Sequence, residues 1–315
     1  MNLRHAVVFI ALLHSAAVAA QESGPYPPIV LLLPSGTRSL ATGNFAVAGR
    51  DDDVLFFNPA QVAIARGFSA SAERYSATAA GGALSAVTRF NKGGIAIGAR
   101  MVDYQVPSGL FPSNRATMLD RGDIGSSLEA SVGLAQVIKS IRVGVAAKYV
   151  EDNAASIRVS RAAFDVGLAK DFLRFYTAGL SVQNLGSNMT VPCSASTHCE
   201  IPEAPGFQTA RVGLPLRTTL GVATARPMGE FDVAATAGVS MLRADFVAPA
   251  GGIEVGYSWL SGYSVALRAG GRRPLRGEEP LTAGAGLTVD RVSIDYALET
   301  LSGSRLGHRI GLRVQ

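Results

Sequence analysis

Residues 141–149 read Ile-Arg-Val-Gly-Val-Ala-Ala-Lys-Tyr, and their character alternates step by step. Ile141, Val143, Val145, Ala147 and Tyr149 form one set, and Arg142, Gly144, Ala146 and Lys148 the other. Side chains two apart share a face of an extended chain, so this is a strand with one apolar face and one small or charged face. The period returns further on. Phe231, Val233, Ala235, Ala237, Val239 and Met241 interleave with Asp232, Ala234, Thr236, Gly238 and Ser240. Ile253, Val255, Tyr257 and Trp259 enclose Glu254, Gly256 and Ser258, and Val292, Ile294, Tyr296 and Leu298 alternate with Ser293, Asp295, Ala297 and Glu299. Each stretch runs about ten residues, the length of a tilted transmembrane strand.

Extending this reading predicts strands near 67–76, 80–91, 93–104, 124–137, 140–151, 157–171, 174–185, 211–225, 229–242, 250–260, 262–272, 280–290, 291–300 and 307–314. That is about fourteen, and an even number is what a single-chain bacterial barrel needs. The longer connections, 105–123 and 186–210, are expected outside the cell. The expected fold class is all-β: a transmembrane antiparallel barrel of about fourteen strands with a short helical N-terminal plug.

Composition agrees. Hydrophobic residues make up 48% of the 315 and charged residues 17%, with 35 glycines; a soluble domain carries about 25% charge. No segment after the N-terminus is apolar for the ~18 residues that a spanning helix needs. A propeller would repeat near forty residues, and no such period is present. A soluble sandwich would turn its apolar face inward. Aromatics are only 7%, with one Trp, so interfacial girdles are expected to be thin, and the chain ends on Gln315 rather than an aromatic residue.

The N-terminus has the form of a secretory signal: Arg4 and His5, an apolar core from Ala6 to Leu13, and small residues at Ala17-Val18-Ala19-Ala20. The expected organisation is a signal peptide at 1–20, an extended Pro-rich segment at 21–37, a plug at 38–66 and the barrel at 67–315. No Cys follows the cleavage site, which argues against a lipid anchor. The two cysteines, Cys193 and Cys199, flank a short polar stretch, and in an exported chain a disulfide is the simplest reading. With His198 they would make an incomplete metal set, so neither metal nor other cofactor is expected. The basic residues are scattered and mostly Arg, unlike a nucleic-acid stripe; such a surface suits phosphate-bearing lipid headgroups.

On the face opposite the apolar one lie Arg100, Glu129, Arg142, Lys148, Asp165, Asp232, Glu254, Arg268, Asp295, Glu299, Arg309 and Arg313. Charges of both signs there are tolerable if the lumen is wet or if they pair with one another. Ahead of the strands, in 38–66, Ala41, Phe45, Ala48, Val54, Leu55, Phe57 and Val62 recur at roughly helical spacing, broken by Asn58-Pro59. Short helices around a turn are expected. Asp51, Asp52 and Asp53 could cap one of them and pair with Arg100, Arg142 or Arg268. The mature chain's two histidines, His198 and His308, have no Gly-x-Ser-x-Gly or other base arrangement beside them, so no enzyme is expected.

The stretch Gly43 to Ala48, then Asp51 to Asp53, then Asn58-Pro59-Ala60 resembles the N-terminal segment of FadL-like outer-membrane proteins, in particular the PorV/PorQ-like branch. Gln61 stands where that pattern often has Gly, and Leu306 to Leu312 resembles the branch's closing strand. The resemblance implies a fourteen-stranded barrel plugged by its N-terminus, with Asp51, Asp52, Asp53, Phe56, Phe57, Asn58, Pro59 and Ala60 as plug or gating residues and Phe45 and Leu55 beside the path. Two functions follow from it: passive uptake of hydrophobic small molecules, or an accessory role in type IX-like protein secretion acting through the long loops. The partners implied are outer-membrane lipid and lipopolysaccharide, with a hydrophobic ligand or secretion proteins, and no nucleic acid.

Overall fold

The computed structural model describes residues 28–51, 53–76, 78–105, 124–154, 157–187, 189–193, 200–204, 207–242, 246–274, 278–301 and 305–315. The alternating segments all form strands. In chain order they are β1 (Gly67–Ser76), β2 (Ala79–Phe90), β3 (Gly93–Gln105), β4 (Ile124–Ile138), β5 (Ile141–Ala154), β6 (Ile157–Phe172) and β7 (Tyr176–Leu185). A small sheet follows, β8 (Met189–Cys193), β9 (Glu200–Ala204) and β10 (Phe207–Val212). The wall resumes with β11 (Arg217–Met228), β12 (Phe231–Leu242), β13 (Phe246–Leu260), β14 (Tyr263–Arg272), β15 (Glu278–Val289), β16 (Val292–Leu301) and β17 (Arg305–Val314).

Fourteen of these close into a barrel, each antiparallel to its chain neighbour, with β7 pairing β11 and β1 joining β2 to β17. Closure leaves no unpaired sheet edge, which is the condition for crossing hydrocarbon with strands. The two faces of β5 show the outcome: Val145 is 51% exposed and Lys148 only 4%. Apolar side chains point outward along the whole wall, among them Ile97, Leu134, Leu220, Ile253, Leu267 and Ile310. The polar set points in, opposite to a soluble sandwich.

The two ends differ. Six turns at one end are tight, including Asn91-Lys92, Lys139-Ser140, Gly229-Glu230 and Asp290-Arg291. The positive φ values at Asn91, Lys139, Gly229, Gly262 and Asp290 all lie there, as hairpins matched to strand twist require. The long connections lie at the other end. The few aromatics are concentrated rather than thin: Phe68, Phe90, Phe172, Tyr176, Phe231, Tyr257, Trp259 and Tyr263 ring the outer face near the tight turns. Three of their cross-strand pairs touch, with ring centroids 5.7 to 6.2 Å apart. This is an interfacial girdle on one side.

Two expectations need correction. The connection 186–210 is not a plain loop, because β8, β9 and β10 form a three-stranded sheet there. The segment expected to be extended at 21–37 is not so throughout: Ile29–Leu31 form a 3-10 turn with Val30 and Leu31 buried against the wall. The signal segment, most of the 105–123 connection, His198 and Cys199 lie outside the described residues; Cys193 ends β8.

Candidate functional site

The described residues of 28–66 lie inside the barrel, consistent with a short helical N-terminal plug. Its short helical pieces are α1 (Thr37–Ala41) and 3-10 turns at Val54–Phe56 and Pro59–Ala63. They line the inner wall around most of its circumference. Thr37 meets Gly311 on β17, Ala41 meets Gly284 on β15, Phe45 meets β11 and β12, and Val47 meets Gly179 on β7. Asn58 then meets β6, Pro59 meets β5, and Leu55 and Phe56 reach β4 and β3. The plug thus makes a circuit of the wall rather than a central rod. It fits because small residues face it. A Cβ on Gly144 would fall on the Pro59 carbonyl carbon and the Ala60 nitrogen, and one on Gly270 would fall on Thr42 and the Gly43 nitrogen.

Asn58-Pro59 works as its chemistry suggests. Asn58 caps the 3-10 turn, accepting from the Ala60 amide at 3.0 Å, with Pro59 in the first position. Its amide group also donates to the Val47 carbonyl at 2.7 Å and to Leu168 on β6 at 3.1 Å, so one side chain ties plug to plug and plug to wall. Gln61 is fully buried, and among the described residues neither of its side-chain polar atoms has a partner.

The inward charges pair into networks, as buried ions must. Towards the tight-turn end, Arg38 of the plug bridges Asp51 at 2.6 Å and Glu254 at 2.5 Å. Arg268 contacts Glu254 and bonds Asp295 at 2.7 Å; Arg313 bonds Asp295 at 2.6 Å and Asp51 at 3.3 Å. Three cations meet three carboxylates there. Nearer the long-loop end, Arg100 pairs with Glu129 at 2.5 Å, and Lys148 reaches Asp165 at 2.8 Å and Glu129 at 3.4 Å. Arg100 also donates to Ser35 and the Leu33 carbonyl, and its guanidinium lies 5.2 Å from the Phe56 ring centroid. Beside this network β6 and β7 lose register between Phe164 and Val166, and Asn184 adopts a positive φ of 62°. There the Asn184 amide donates to Asp165 and Gln183 donates to the Phe56 carbonyl. Further pairs join Arg142 and Arg50 to Asp171, Arg309 to Glu73 and Arg272 to Glu299.

The expected pairing of the aspartates is therefore only partly right. Asp51 does bind a wall arginine, but that residue is Arg313; Arg100, Arg142 and Arg268 are held by wall carboxylates. Asp53 stands at the start of the Val54–Phe56 turn, yet its side chain does not cap it. Asp52 lies outside the described residues, and Asp232 is exposed at the tight-turn end. Arg38, Arg50, Glu73, Asp171 and Arg272 were not foreseen. Glu73 could have been, because it stands directly across from Arg309 in the β1–β17 ladder.

Burial alone would raise the Asp51 carboxyl, but Arg38 and Arg313 outweigh it and hold Asp51 below the usual carboxylate range. A carboxylate depressed on folding stabilises above its unfolded value and loses that contribution as pH falls through its folded value. The expected result is that protease protection of the plug is equal at pH 7 and pH 5 and drops only below 3.8. Loss of protection already at pH 5 would contradict a plug latched by these ion pairs.

Between plug and wall at the tight-turn end is a cavity of about 310 Å³. Phe45, Ala46 and Ala48 of the plug and Ala223, Ala225 and Ala234 of β11 and β12 give it apolar or small walls, Arg38, Arg50, Asp51, Glu254 and several Ser and Thr hydroxyls form its polar side, and the turn at Arg174 and Phe175 edges it. The overall fold has known counterparts. The fold is that of the toluene transporters. The structure of TodX from Pseudomonas putida aligns at TM-score 0.58 and 12% identity, covering 90% of this chain and 99% of that one. TbuX from Ralstonia pickettii gives 0.54 and 13% over 90% and 99%, and a Pseudomonas aeruginosa FadL homologue 0.55 and 10% over 89% and 97%. At such identities the likeness concerns fold. No protein-family model and no curated protein matches the sequence. The FadL-like half of the sequence resemblance is thus matched in fold, whereas its PorV/PorQ-like refinement finds no support.

Proposed function

We propose that this chain is a bacterial outer-membrane channel for passive passage of small hydrophobic molecules. The chamber beside the plug carries this reading. A closed apolar cavity of about 150 Å³ is enough to bind benzene, and this pocket, of about 310 Å³, has the volume for a one-ring hydrocarbon against Phe45 and the alanines of its walls. The plug beside it is held by ion pairs, capping and backbone contacts, interactions that a modest shift of the segment can exchange. The shared fold with the toluene transporters TodX and TbuX supports the same class of cargo. Phe45, Ala46 and Ala48 are the plug residues that would meet it. The secretion-accessory reading has no observation in its favour.

The test is to fill the chamber. Ala234 points inward on β12 and lines it. Ala234→Trp is expected to cut toluene uptake by at least fivefold in cells dependent on this protein, while Ala237→Trp, on the lipid face of the same strand, leaves it unchanged. Equal uptake by both variants and wild type would refute passage through the chamber.

A further inference from the structure

We propose that the lipid-facing side of β1, β16 and β17 binds the phosphate of an anionic outer-leaflet lipid, held by Arg74 and His308 and oriented by Tyr296. This rests on the barrel standing in a membrane, not on what it transports. Arg74 and His308 are directly opposed in the β1–β17 ladder, where side chains on one face lie about 5 Å apart. Both are exposed, whereas their neighbours Glu73 and Arg309 turn inward and pair at 2.6 Å.

A guanidinium held on the lipid face without a carboxylate of its own calls for an anion from outside the chain. Inside the barrel, Arg100, Arg142, Lys148, Arg268, Arg309 and Arg313 each have a carboxylate, and outside it Arg158 has Glu151 at 2.7 Å. Among the described residues, neither Arg74 nor His308 has an ion-pair partner; the Arg74 Nε donates to the Ser76 carbonyl at 3.2 Å, which leaves the two terminal nitrogens of its fork for a ligand. Tyr296 Oη lies 2.7 Å from His308 Nδ1. With Oη donating there, the ring proton sits on Nε2 and offers a second donor. A planar guanidinium beside an imidazole N–H matches phosphate oxygens. Arg74 is two residues from the end of β1 on the long-loop side, the level of headgroups rather than of acyl chains. On that leaflet the anion available is a lipid phosphate.

The experiment uses the full chain, purified in zwitterionic detergent and titrated with bisphosphorylated lipid A, the same lipid stripped of phosphate, and inorganic phosphate, read by native mass spectrometry and thermal melting. Wild type is expected to retain one bisphosphorylated lipid at least tenfold better than the stripped form. Arg74→Gln/His308→Gln should abolish that preference, Tyr296→Phe should reduce it about threefold, and Arg74→Lys should keep part of it. Equal retention of both lipids by wild type, undiminished preference in the double variant, or equal protection by inorganic phosphate would each overturn the proposal. A wild type without a heat-modifiable gel band would instead show that the barrel reading itself fails.

Discussion

Replacing Gly144 with leucine will release the plug and leave the barrel closed. Gly144 lies on the inner face of β5, and the atoms a side chain would meet are the backbone of Pro59 and Ala60. Backbone cannot step aside as a flexible side chain can, so the overlap must move the plug or the wall. The wall is continuous: β5 is bonded along its length to β4 and β6. The plug at this point is tied to the wall by the bonds of Asn58 to the Leu168 carbonyl and of Gln183 to the Phe56 carbonyl, each worth about 1 kcal/mol net. Overpacking a tight site costs about 1–3 kcal/mol, enough to offset both. In planar bilayers the variant should therefore conduct ions several-fold more than wild type, and protease should cleave within 53–66, with the heat-modifiable band unchanged. Ala147→Leu, on the lipid face of the same strand, should do neither. Wild-type conductance and protection in Gly144→Leu would show that the plug is not seated on this glycine.

The barrel was legible because its signal is local. Ile141 to Tyr149 declares two faces within nine residues, and repetition of that pattern gives strand number, closure and the inward charges without knowledge of any contact. Asn58-Pro59 was legible for the same reason, since a cap and a fixed φ act over three residues. What escaped depends on register. Arg38 meets Glu254 across 216 positions, and no local pattern tells that arginine from one on a loop. Asp51 was assigned to the wrong arginines because the choice among Arg100, Arg268 and Arg313 is set by where the plug's circuit passes. Gly144 and Gly270 look in sequence like ordinary small inward residues; only the plug lying on them gives them a role. The 3-10 turn at Ile29–Leu31 was hidden by its prolines, which suggest extension, whereas burial of Val30 and Leu31 against the wall decides the local form.

The charge networks follow from the same closure. Where a side chain turned into this lumen meets plug rather than bulk water, an inward cation must bring its own anion. Lys148→Met tests that rule where it is strictest. The Lys148 side chain is 1% exposed, and Glu129 and Asp165 on either side are fully covered. Glu129 keeps Arg100 when the amine is removed, but Asp165 keeps only neutral donors, the Asn184 amide at 2.8 Å and Gln183 at 3.4 Å. Removing one partner of a buried pair leaves an uncompensated charge and costs about 3–5 kcal/mol. The variant should accordingly unfold at lower guanidinium, followed by the fluorescence of Trp259, the sole tryptophan. Lys148→Met/Asp165→Asn should recover most of the loss, because the second change removes the stranded charge and keeps an acceptor for the Asn184 amide. That recovery separates counter-ion from packing: if the methylene stem of Lys148 mattered more than its charge, methionine alone would be tolerated. If the single variant melts with wild type, or the double no better than the single, the lumen is wetter than the pairing implies and its charges need no partners.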